Sequence, residues 1–99
     1  MIMVEIRTKP VRATLVDDIV AARITTPGAF KYFTVAGNIA GLNYVCPCGC
    51  GAIAPLNFKP EPSPSWHWDG NRQTPTLQPS VHHRGHWHGW LRGGTWVSC

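Results

Sequence analysis

The sequence predicts a mainly β fold, with a small α+β variant allowed: a compact zinc-stapled β-hairpin domain. Three observations lead there. Cysteines recur two residues apart in Cys46-Pro47-Cys48-Gly49-Cys50-Gly51. Apolar and polar residues alternate on either side of this knuckle, with the period of two that marks strands. Near the C-terminus a histidine cluster leads into two short β-type runs separated by Gly93-Gly94.

Length and composition bound the rest. A chain of 99 residues makes one domain, and domains this small often need a metal or disulfide staple. With 43% hydrophobic and 14% charged residues, the composition is globular and not disordered. We read 1–99 as a single domain, with a zinc-binding core over 27–99 and a separate N-terminal segment over 1–25. The net charge of +4 comes from basic residues scattered along the chain without a run. That favours a protein partner over nucleic acid. No stretch reads as a signal peptide or reaches membrane-spanning length, so a cytoplasmic setting and no membrane partner are expected. Four cysteines in such a chain argue for metal over disulfides.

Taken in order, residues 2–7 alternate loosely and suggest an edge strand ended by Pro10. Leu15, Val16, Ile19 and Val20 fall on one face of a helix over about 14–22, although their β-branched content makes a strand a competitor. Thr26-Pro27-Gly28 signals a turn. Phe30–Val35 reads as a strand, Gly37-Asn38 as a turn, and Leu42–Val45 as the strand that delivers Cys46. Ile53–Phe58 leaves the knuckle as a third strand. Residues 59–65 form a proline-rich connector. Asp69-Gly70-Asn71 is a turn, and 74–80 is extended. His86–Leu91 and Thr95–Ser98 make the final hairpin around Arg92-Gly93-Gly94. A regular strand there sets His86, His88 and Trp90 on one face and Trp87 on the other.

The knuckle is poorly suited to disulfides, because an i,i+2 pair meets the required Cα separation only with strain. Thiolates converging on one metal face no such limit, and Zn²⁺ takes tetrahedral Cys/His sets. The candidate ligands are Cys46, Cys48, Cys50, His86 and His88, with His83 and Cys99 in reserve. Which four bind is open at this point. His67, between two tryptophans, reads as a surface or hydrogen-bonded residue.

The order CPCGCG, WHWDGN, PTLQPS, HWHGWLRGG resembles an uncharacterised family of short phage and prophage proteins. The resemblance covers about Pro27 to the end. It implies zinc ligands within a domain of unknown function, made in the host cytoplasm, with a host or phage protein as partner and a role against host defence. Family members often carry a cysteine three residues before the position of His88; here that residue is Gly85. His86, His83 or Cys50 would then complete the ligand set.

For function, a structural zinc site in a protein-binding module is the first reading. A closed set of four ligands leaves no position for water. The alternative is a zinc-dependent hydrolase or deaminase. The deaminase signature needs His-x-Glu and Pro-Cys-x-x-Cys, and neither occurs. Asp69 is the one carboxylate among the histidines and tryptophans, so it is the general base of that alternative; otherwise it is a turn residue. No catalytic residue is assigned. All five tryptophans lie from Trp66 onward, which suggests a recognition patch beside Arg84 and Arg92 as well as core.

Overall fold

The computed structural model describes residues 5–99, and among these the chain is built mostly of antiparallel β-structure. Strands β1 (Val11–Arg12), β7 (Val81–His83), β8 (Trp87–Arg92) and β9 (Thr95–Ser98) form a sheet in the order β1-β9-β8-β7. Strands β2 (Phe30–Val35), β3 (Asn38–Val45) and β4 (Ile53–Asn57) form a second sheet in sequence order. A short ribbon pairs β5 (His67–Trp68) with β6 (Leu77–Gln78).

The two larger sheets meet through aromatic side chains. Trp87 and Trp96 are fully buried and cross edge to face at 5.7 Å, and Tyr44 of β3 lies 5.1 Å from Trp96. Phe30, Leu42, Leu56, Val81 and Leu91 complete this core. Each buried indole removes on the order of 200 Å² from water, about 5 kcal/mol gross at ~25 cal/mol/Å². That outweighs the ~1 kcal/mol net of a hydrogen bond, so the tryptophans set the packing and their N–H groups tune it. Trp96 donates to the Gly28 carbonyl at 2.9 Å and Trp87 to Thr8 Oγ1 at 3.1 Å. Gly28 has φ +83°, and a Cβ there would lie 2.9 Å from the Trp96 ring and from Val11. Only glycine fits both demands.

Four of the five tryptophans therefore pack on the core, Trp66 and Trp68 along its rim. Trp90 is the outward one, half-exposed beneath the Arg92 guanidinium at 4.4 Å.

Two expectations for the N-terminal segment change. Residues 2–4 of the expected first strand lie outside the described residues, and residues 5–7 are not in a strand. Instead Ile6 donates its N–H to the His86 carbonyl at 2.7 Å. The helix α1 spans Ile19–Thr25, not 14–22. Asp18 sets its start by accepting the Ala21 N–H at 3.0 Å, the role of an N-cap. Leu15 falls before that cap and bridges Phe30. The helix buries Ala22, with Ile19 against Ala29 and Val45, and leaves Val20 62% and Ile24 86% exposed. No helix among the described residues is long and apolar enough to cross a membrane.

Candidate functional site

The cysteine knuckle links β3 to β4. Cys46 keeps the ladder closed by donating its N–H to the Ala52 carbonyl at 2.9 Å. The chain then turns through Gly49 and Gly51, both at positive φ. The ligand atoms of Cys46, Cys48 and Cys50 all lie within 4.8 Å of one another, grading from buried to exposed. Cys46 Sγ is 3.3 Å from Cys48 Sγ, and both thiols are free. Bonds of ~2.3 Å to a tetrahedral zinc would hold sulfurs about 3.8 Å apart, so the cluster fits one metal ion with little movement.

Burial pushes the Cys46 thiol up, with the neighbouring thiols adding to it. At Cys50 burial also acts upward, but the Ala52 N–H and the Cys48 and Cys46 thiols outweigh it, and its pKa is lowered. The Ala52 N–H lies 3.5 Å from Cys50 Sγ. Such donors stabilise thiolate, the form that binds metal.

One ring nitrogen lies beside these thiols. His86 Nδ1 lies 4.0 Å from Cys48 Sγ, close to the ~3.6 Å separation of S and N ligands on one zinc. His86 occupies the turn between β7 and β8, off the strand. This departs from the expectation that His86 and His88 share one strand face: β8 begins only at Trp87, so the turn carries His86 toward the knuckle. His83 lies beside His86, with ring centroids 4.9 Å apart, and its Nδ1 meets Tyr44 Oη at 3.1 Å. Burial lowers the His83 pKa, helped by His86. Cys99 is exposed, with its N–H on the His88 carbonyl at 3.0 Å. His67 is exposed on β5.

His88 points to the other face of the sheet, opposite Trp87. Its Nε2 lies 3.1 Å from Ser80 Oγ. Ser80 ends the extended Pro-rich segment and immediately precedes β7, where its carbonyl accepts the Trp66 indole N–H at 3.2 Å. The His82 ring packs over His88 at 4.5 Å, and His82 Nε2 meets Glu5 Oε1 at 2.8 Å. A hydroxyl within hydrogen-bond reach of an imidazole is the nucleophile–base half of the arrangement that activates a serine. The sequence does not mark Ser80, because PTLQPS carries no nucleophile signature and the partner sits eight residues on. The available signal was a serine and a histidine on the same side of one hairpin.

Asp69 lies in the turn between β5 and β6. Its Oδ1 accepts the N–H groups of Asn71 and Thr76 at 3.0 and 3.2 Å. This is the turn-bonding role, carried by one oxygen of the carboxylate.

No curated protein and no solved structure matches the chain. Residues 16–99 match a family described as bacterial ubiquitination-like system serine protease (BubE). The match takes in the knuckle, Ser80 and the whole histidine cluster, and it covers most of the sequence. On that extent, the chain belongs to the BubE family of bacterial ubiquitination-like systems.

Proposed function

We propose that the protein is a serine-type peptidase of a bacterial ubiquitination-like system, with Ser80 as nucleophile and His88 as general base. The observation that carries this is the 3.1 Å contact between Ser80 Oγ and His88 Nε2. The family description supports it. Ser80 Oγ bonds to the substrate carbonyl carbon while its proton passes to His88 Nε2. His88 then returns that proton to the leaving amine nitrogen as the C–N bond breaks. Water repeats the sequence on the acyl ester and frees Ser80. His82, packed on the imidazole and tied to Glu5, holds the ring in line.

Within this reading Zn²⁺ is structural, held by Cys46, Cys48, Cys50 and His86. A closed set of four leaves no open position for substrate, and its contribution is to folding. The family match supports the bacterial setting; the phage or prophage setting and a role against host defence rest on the resemblance of motifs alone.

The test is covalent labelling with a fluorophosphonate probe, read by intact mass. One adduct is expected on the wild-type chain, none on Ser80→Ala, and labelling slowed by about a hundredfold or more on His88→Ala. An adduct that persists undiminished in Ser80→Ala sinks the assignment.

A second reading keeps the domain as a protein-binding module without catalysis. The outward Trp90, stacked under Arg92, favours it, since such pairs anchor interfaces. Under that reading Ser80→Ala is silent, while Trp90→Ala weakens partner binding by about 2 kcal/mol with fold and metal intact.

A further inference from the structure

Strand β7 is an outer strand of its sheet, and it starts one residue after Ser80. The orientation of its free edge follows from the ladder. The His88 carbonyl accepts from Cys99, on the β9 side. Backbone N–H and C=O of one residue in an antiparallel strand point the same way. The paired residues His82 and His88 are therefore a non-hydrogen-bonded pair, and the N–H and C=O of His82 face away from β8. Among the described residues no backbone group meets them there.

That edge borders a cavity of about 290 Å³ between β4 and β7. Tyr44, Leu56 and Val81 give it an apolar floor, Trp66 lies at the Ser80 end, and Arg84 at the other. Among the described residues no carboxylate lines it, and Arg84 is exposed. From Ser80 to Arg84 the edge runs ~13 Å, at ~3.3 Å per residue.

Resting on the serine-peptidase reading, we infer that this groove is the substrate-binding cleft. It takes an extended polypeptide segment that adds to β7 as an antiparallel strand. The segment exchanges main-chain hydrogen bonds with His82. One of its apolar side chains faces Tyr44, Leu56 and Val81. Running opposite to β7, it enters at Arg84 and brings its carbonyl to Ser80. An acidic side chain a few positions before the scissile bond thus meets Arg84. The adjoining floor and Arg84 contacts lie on opposite faces of the added strand, so the apolar and acidic residues are neighbours in the substrate.

The probe is a fluorescein-labelled peptide, Ala-Glu-Leu-Ala-Gly-Ser, titrated by anisotropy into the full Ser80→Ala chain, which cannot turn it over. Three changes are each expected to weaken binding at least about tenfold: Glu→Lys in the peptide, N-methylation of the amide of the alanine that follows its leucine and lies opposite His82, and Arg84→Glu in the protein. The Lys peptide should regain affinity for the Arg84→Glu variant. Equal binding of the N-methylated and parent peptides overturns the strand addition. An unchanged affinity in Arg84→Glu overturns the acidic preference, and no binding by any of these peptides overturns the cleft. Fluorophosphonate labelling of the wild type runs in parallel. If Ser80 is labelled and the peptides do not bind, the groove fails and the nucleophile stands. If the peptides bind as expected and Ser80 is never labelled, the nucleophile fails and the groove stands.

Discussion

Ser80 and His88 meet across the β7–β8 hairpin with Oγ 3.1 Å from Nε2, while His86, two residues earlier, turns to Cys48 on the far side. In the proposed function these neighbouring histidines serve two different chemistries. Peptidase activity should drop by about a thousandfold or more in Ser80→Ala and in His88→Ala. Zinc content, measured by elemental analysis, should stay unchanged in both. His86→Ala should lower zinc content instead. Asp69→Asn should leave turnover intact, because its carboxylate serves a turn.

The metal should carry much of the stability. Cys46→Ser, Cys48→Ser and His86→Ala are each expected to lower Tm by roughly 10 °C or more. Cys99→Ser should leave it unmoved, since Cys99 is exposed and lies outside the cysteine cluster. Thermal melts with and without a chelator check this, and the chelator should bring the wild type down to the level of the ligand variants.

Gly28→Ala should destabilise the domain by about 2 kcal/mol or more. The added Cβ meets Trp96 and Val11 at 2.9 Å, in a backbone conformation that side chains rarely adopt. It would also press on the Trp96 indole bonded to the Gly28 carbonyl. Urea titration gives the difference directly.

Burial raises the Tyr32 hydroxyl from an ordinary value of 10.0 to about 12, with the Asp69 charge adding to the rise. Its O–H donates to the carbonyls of Asn71 and Arg72. The folded state holds this proton more tightly than the unfolded chain. The stability it contributes is complete below pH 10 and is lost as pH rises toward 12. Tyr32→Phe should show a shallower loss over that window than the wild type, measured as ΔG of unfolding against pH.

What the sequence made legible was local. Phe30–Val35 alternates cleanly and forms its strand, Gly93-Gly94 closes the last hairpin, and the knuckle spacing foretells three converging thiols. What it hid depends on distant partners or on a competing local bond. The apolar spacing at 15–20 suggested a helix there, but the Asp18 cap begins it later and leaves Leu15 outside. The pairing of Ser80 with His88 exists only once β7 and β8 take their register. The contact of Glu5 with His82 spans nearly the whole chain. His86 and His88 looked equivalent because nothing in their spacing reveals that the turn runs through His86.

The turn residue His86 is held twice, by Cys48 through its ring and by Ile6 through its carbonyl. It sits at the apex of the hairpin whose two arms carry Ser80 and His88. An ion clamped at that apex would act as a register pin. Slippage of one arm past the other moves a strand's side chains to the opposite face, so losing the pin would part the hydroxyl from its imidazole without the ion ever approaching substrate. If the proposed serine chemistry holds, chelating agents would then silence it in the manner expected of a metalloenzyme, although the reactive group is a serine.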